Sequence, residues 1–136
     1  MTIPDENMLD RDGYRHSICQ RLRSAQIVPF VKIRIGTWEP QVGHCHENVD
    51  QWVRSNPSHM PLRGWVTLVE SDDAVQLTPH SVVRDQDGDT FDITPLENET
   101  IRPSMRFVPH IGDEAKFFSL MNSFQPFLAC ETEDEF

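Results

Sequence analysis

Apolar residues along this chain fall at two different spacings. Within 15–25, Ile18, Cys19, Leu22 and Ala25 recur every three or four positions, which predicts a short helix with Cys19 on its apolar stripe. Within 27–35 the spacing changes. Val31, Ile33 and Ile35 alternate with Lys32 and Arg34, the pattern of a strand with one wet face, and Pro29 confines its start to an edge or a bend. A loop follows over 36–43. Helical spacing then returns, with Cys45, Val49, Trp52 and Val53 at i, i+4, i+7 and i+8. The breakers Pro40 and Gly43 precede this helix, and Ser55-Asn56-Pro57 ends it.

The second half reads mainly as strands. A loop with His59 covers 58–63, and 64–70 is a strand carrying Trp65, Val66, Leu68 and Val69. Ser71-Asp72-Asp73 turns the chain. Extended runs at 75–77 and 80–85 are split by Pro79. Asp87-Gly88 makes a second turn, and 90–94 returns as a strand. An irregular polar connection at 96–103 leads to a short last strand at 105–108. Asp113 then caps a helix that turns Ala115, Phe118, Leu120 and Met121 inward. Residues 1–13 read as loose, with a turn at Asp12-Gly13. The expected class is α+β, with N-terminal helices packed on a small antiparallel sheet, because the elements do not alternate as βαβ units. A chain of 136 residues suits one domain, placed at 1–128, with 129–136 as an acidic, disordered tail. There is no internal repeat.

Charge and cysteines narrow the function classes. A net charge of −10 argues against nucleic acid and against an anionic membrane surface. No apolar run approaches the roughly 20 residues that span a bilayer. The acidic start lacks a hydrophobic signal region, so no secretion is expected. Cys19, Cys45 and Cys130 are an odd number without close spacing. They suggest neither a disulfide framework nor a paired CxxC zinc site, and reduced thiols in the cytoplasm are expected.

Two stretches carry candidate chemistry. Cys45 falls on the first turn of its predicted helix, where the positive dipole end and free N–H groups favour a thiolate. Burial as one more apolar residue is the plainer reading of the same position. The second stretch is the hairpin from His80 to Pro95, whose register decides the chemistry. With the loop Asp87-Gly88, Asp92 faces Val83, and His80 and Asp92 point to opposite sides. With the loop Gln86-Asp87-Gly88, Asp92 faces Val82 and shares a face with His80. Gly as the third loop residue suits the three-residue bulged hairpin, so that register is expected. Asp92 can then orient His80, and His80 can reach a thiol above that face. Cys45, His80 and Asp92 become a nucleophile, a base and an orienting carboxylate.

These residues resemble the transglutaminase-like branch of the papain-like cysteine enzymes. The matching pieces are Cys45 at a helix start, the strand with Gly64-Trp65, His80-Ser81-Val82-Val83, and Asp92-Ile93-Thr94-Pro95. The order Cys, His, Asp is kept over about residues 38–95. The Cys–His interval is short, and the last motif reads Asp-Ile-Thr-Pro instead of Asp-Pro-Thr. The resemblance implies a minimal papain-like fold and a thiol-dependent hydrolase or acyltransferase. Its substrate would be a small molecule or peptide with an amide, peptide or thioester bond. It also implies an oxyanion stabiliser, for which the Cys45 N–H and, by analogy, the Gln41 side chain are candidates.

Other readings compete. A non-catalytic accessory protein could keep the fold and bind a protein partner. His44, Cys45 and His46, with His59, His80 or His110, could bind zinc, but neighbouring residues on one helical turn point in different directions. The His46-Glu47 pair lacks the PCxxC of zinc deaminases. Asp85, Asp87 and Asp89 alternate like a calcium loop, but its twelfth position is Leu96. Neither metal nor cofactor is expected. Trp38, Trp52 and Trp65 read as core, His59 and His110 as loop residues, and Asn48 as a helix-surface residue or as lining of a cleft.

Overall fold

A computed structural model describes residues 6–131, an α+β chain with an antiparallel sheet. The first helix, α1 (Arg11–Arg21), begins earlier than the apolar pattern suggests. Asp10 explains this: its carboxylate accepts the Gly13 N–H at 2.8 Å and caps the helix. Asp12-Gly13 is therefore the first helical turn and not a loose bend. Helix α2 (Cys45–Ser55) spans the expected residues.

The sheet is built on a long hairpin. Strand β1 (Met60–Glu70) pairs antiparallel with β2 (Ala74–Arg84). Pro79 does not split β2 but stands opposite Trp65. The other edge of β2 is covered at one end by β3 (Thr90–Phe91), paired at Val83 and Arg84. At the other end a later strand, β5 (Leu128–Glu131), pairs from Ala74 to Leu77. Pro79 lies in the uncovered stretch between them, the kind of position that tolerates a residue without an N–H. Strand β4 (Phe107–Pro109) pairs with β1 through Gly64, Trp65 and Val66. Gly64 is required there, since a Cβ would sit 2.3 Å from the Val108 carbonyl and 2.7 Å from the Phe107 ring.

Several expectations are corrected. Residues 27–35 form no ladder, only single bridges of Phe30 with Asp92 and Ile35 with Trp38, with a third just before them between Gln26 and Phe107. Their alternation is real, but Ile27 and Val31 are exposed and no neighbouring strand runs beside them for more than one residue. The polar connection contains a 3-10 helix, Glu99–Ser104. Helix α3 (Glu114–Met121) follows Asp113, whose side chain makes no cap bond. It buries Phe117 and Leu120, while Ala115 is exposed. β4 is not the last strand. Ala129, Cys130 and Glu131 belong to β5 and not to a tail, and residues 132–136, like 1–5, lie outside the described residues.

Cys130 forms a disulfide with Cys19, so the expectation of three reduced thiols fails. The partners are 111 residues apart in sequence and meet only because α1 packs against β5. Cys45 is the one free cysteine.

Two apolar clusters fill the molecule. The larger joins α1, α3 and the hairpin through Tyr14, Ile18, Leu22, Trp65, Leu77 and Phe117. The smaller lies under α2 and consists of Val49, Val83 and Ile93, flanked by Ile33, Trp52, Val53 and Phe91. Trp65 is core, as expected, whereas Trp38 and Trp52 are only half-buried. No helix among the described residues is long and apolar enough to cross a membrane.

Candidate active site

The site begins with the turn into α2. Gly43 has φ +82, in the left-handed region, which lets the chain reverse before Cys45. Asn48, one turn into the helix, holds that reversal. Its Oδ1 accepts the Gln41 N–H at 3.1 Å, and its Nδ2 donates to the Gln41 carbonyl at 2.8 Å and to Thr94 Oγ1 at 3.0 Å. Both amide hydrogens and the oxygen are thus used. Asn48 is neither a surface residue nor cleft lining. It is buried, and it ties the loop before Cys45 to the segment after Asp92.

The second hairpin adopts the three-residue loop. Val83 pairs with Phe91 and Arg84 with Thr90, and Gly88 has φ +88. Asp92 therefore shares a face with His80, and Asp92 Oδ2 lies 2.7 Å from His80 Nε2. The backbone of Asp92 is held by 27–35, the segment that failed to become a strand. The Asp92 N–H donates to the Pro29 carbonyl at 2.8 Å, and the Val31 N–H donates to the Asp92 carbonyl at 2.9 Å. Its carboxylate also accepts the Thr94 N–H at Oδ1, 3.0 Å, and Arg102 Nη1 at Oδ2, 2.9 Å. Arg102 is fixed in turn by Glu99, the Thr94 carbonyl and the Phe30 ring, 4.4 Å below its guanidinium.

His80 is buried, with Phe107 edge-on to its ring. With Nε2 on Asp92, Nδ1 is the nitrogen left to meet a thiol. Cys45 and His80 line the same cleft, and His46 follows Cys45 in the first turn of α2. Burial pushes the Cys45 thiol up, but the neighbouring imidazoles of His46 and His80 outweigh it and bring the pKa from 9.0 down to about 6. Burial pushes His80 down, but the bonds to Asp92 and Cys45 outweigh it and raise it to about 10. Burial likewise opposes ionisation of Asp92, while His80, the Thr94 N–H and Arg102 hold its carboxyl below the usual range. Both shifts favour a pair of thiolate and imidazolium. It opens on a cleft of about 600 Å³ whose walls include Val42, Leu68, Pro79, Leu96 and Ile101. Among the described residues, Glu97 is the only Asp, Glu, Lys or Arg on those walls.

No protein-family model, no curated protein and no solved structure matches this chain. The reading of the site thus rests on its own geometry.

Gln41 does not join the row. Its backbone is held by Asn48, its residue is exposed, and it does not line the cleft. Of the two expected oxyanion donors, the Cys45 N–H on the first turn of α2 is the one beside the sulfur. The other histidines scatter. His44 is exposed and 4.0 Å from Glu47, His46 meets Ser81, and His59 accepts the Trp52 indole N–H. His110 is a loop residue but a buried one, 2.8 Å from the Tyr14 hydroxyl. Among the described residues no three His, Cys, Asp or Glu side chains could hold a metal ion. Asp85 spends its Oδ1 on the N–H groups of Asp87 and Asp89, which makes that run a self-bonded turn.

Sequence reasoning missed Arg102, Arg63 and Ser81 and treated His46 only as a possible metal ligand. A polar Asn48 on an otherwise apolar helix face was a readable signal. The pairing of Arg102 with Glu99 at i, i+3 was readable, but its bond to Asp92 was not, and Arg63 had no signal because its partners lie on other elements.

Proposed function

We propose that this chain is a minimal papain-like, transglutaminase-like cysteine enzyme that transfers an acyl group from an amide, peptide or thioester. The observation that supports the reading is that Cys45 and His80 line one open cleft, with Asp92 bonded to His80 behind it.

The Cys45 thiolate attacks the acyl carbon, and the Cys45 N–H faces the developing oxyanion. The tetrahedral intermediate collapses as the imidazolium of His80 gives its proton to the leaving amine or thiol. A thioester on Cys45 and a neutral imidazole remain. Water or another nucleophile then loses a proton to His80 and attacks that thioester. The product leaves, and thiolate and imidazolium are restored. Asp92 keeps Nε2 protonated throughout and so presents Nδ1 to the sulfur. The largely apolar cleft walls, with the carboxylate of Glu97 among them, favour an uncharged acyl group over an anionic one.

The test is acylation followed by intact-mass spectrometry, using neutral and anionic amides, thioesters and activated esters. A stoichiometric acyl adduct on Cys45 is expected, absent in Cys45→Ala and slow to form in His80→Ala. The rate should be bell-shaped in pH. Below about 6 the thiol holds its proton, and above about 10 His80 has none to give, so activity falls on both sides. No adduct from any donor, or an equal adduct in Cys45→Ala, would sink the reading.

A further inference from the structure

A second hollow lies on the His80 face of the sheet and has no part in the mechanism above. Side chains alternate along a strand, so Arg84 of β2 shares a face with His80. Thr90 stands opposite Arg84 on β3, and Leu62 stands opposite Val82 on β1. With Phe107 and Pro109 of β4 these residues line a pocket of about 350 Å³. Its other wall is the chain from Arg21, at the end of α1, to Val28. The Phe107 N–H donates to the Gln26 carbonyl at 2.9 Å, which ties that wall to the sheet. The pocket shares no lining residue with the cleft at Cys45.

The charge of this pocket runs against that of the chain. Asp and Glu outnumber Lys and Arg by 22 to 12. Yet among the described residues the pocket walls carry two arginines, Arg21 and Arg84, and neither Asp nor Glu. Arg21 is anchored, since its Nη1 donates to the Pro109 carbonyl at 2.7 Å. Arg84 is exposed, and among the described residues its side chain has neither an ion pair nor a hydrogen bond. The adjacent Asp85 does not neutralise it, because Asp85 Oδ1 accepts the N–H groups of Asp87 and Asp89 within the turn. Ser24 spends its hydroxyl hydrogen on the Arg21 carbonyl at 3.2 Å. Much of the remaining lining is apolar, with Val28, Leu62, Phe107, Pro109 and Ile111. A guanidinium offers parallel N–H donors to a carboxylate or phosphate, and apolar walls favour a hydrocarbon body.

We propose that this pocket is a second binding site, for a small organic anion: a carboxylate or phosphate group set on an apolar body. The oxyanion pairs with the two guanidiniums, and the body covers Leu62 and Phe107. A volume of about 350 Å³ is at the small end for ligand pockets, so the body is a single ring or a short chain. The site does not depend on the enzyme reading, because none of its residues belongs to the cleft.

Nitrogen–proton correlation NMR on the intact chain tests this, with benzoate, phenyl phosphate, benzamide and inorganic phosphate as probes. Benzoate or phenyl phosphate should shift the amide signals of Ser24, Gln26, Leu62, Thr90 and Phe107 until they saturate. The tighter of the two tells whether the site is built for a carboxylate or a phosphate. Benzamide, the same ring without the charge, should bind about tenfold more weakly than benzoate. Inorganic phosphate, the charge without the ring, should also be weaker than phenyl phosphate. Arg84→Gln should weaken benzoate about tenfold, and because Arg84 is exposed its Tm should stay that of the wild type. Cys45→Ala should bind benzoate as the wild type does.

Equal affinity for benzamide and benzoate overturns the proposal, since the pocket is then an apolar hollow only. So does inorganic phosphate that binds as tightly as phenyl phosphate, signals that never saturate with either organic anion, or benzoate binding unchanged in Arg84→Gln. Shifts confined to the residues around Cys45 would put the anion in the cleft, which overturns this site and leaves the enzyme reading standing.

Discussion

The two apolar clusters hold their halves of the molecule by different means. Around α1, α3 and β5 the interior is aromatic. Tyr14, Trp65, Phe117 and Phe124 pack edge to face or stacked, and the disulfide closes the layer. Under α2 only Val49, Val83 and Ile93 form the cluster, and much of the fixing is done by buried polar groups: Asn48, Arg63, Ser81, Asp92 and Thr94. Apolar contact is strong in sum but indifferent to direction, whereas a hydrogen bond weakens steeply when misaligned. The first half can supply stability without fine aim. The second can hold a sulfur, an imidazole and a carboxylate in place with little apolar mass.

That division can be broken by substitution. Trp65→Ala empties the aromatic cluster and removes the indole N–H that Tyr14 accepts, and it should cost about 3–5 kcal/mol in denaturant unfolding. The alkylation profile of Cys45 in the remaining folded protein should hardly move. Asn48→Ala should cost less, about 1–3 kcal/mol, since it leaves buried partners unsatisfied. Its effect on Cys45 should be larger, with slower alkylation and acylation, because the loop from Gln41 to His44 loses its tie to Thr94. Gly43→Ala meets open space but keeps a left-handed backbone, so about 1 kcal/mol is expected, with a small slowing at the thiol. If Trp65→Ala disturbs the thiol more than Asn48→Ala does, the separation into a stabilising half and an aiming half is wrong.

What could be read in advance follows the same line. The bounds of α2 were legible because Cys45, Val49, Trp52 and Val53 repeat locally and Gly43 stops the chain before them. The hairpin register was legible because Gly88 is suited to one loop length. The alternation in 27–35 misled, since period two describes one segment and says nothing of whether a neighbour lies beside it. Cys19 and Cys130 gave no sign of pairing, because only the packing of α1 on β5 brings them together. Arg63 and Arg102 stayed hidden for a related reason. Arg63 gathers Asp50 from one helix, Glu114 from another and Ser81 from the adjacent strand, and no spacing along the chain marks such a set.

The turn of Gln86, Asp87 and Gly88 sits in solvent at a distance from the sulfur, yet its length sets which way every later side chain of that strand points. Many residue types could occupy its first two positions without consequence. Removing or adding one would rotate the carboxylate to the far surface and leave the imidazole without its anchor. In this molecule a parity rule at the rim, one of even or odd, governs chemistry in the interior.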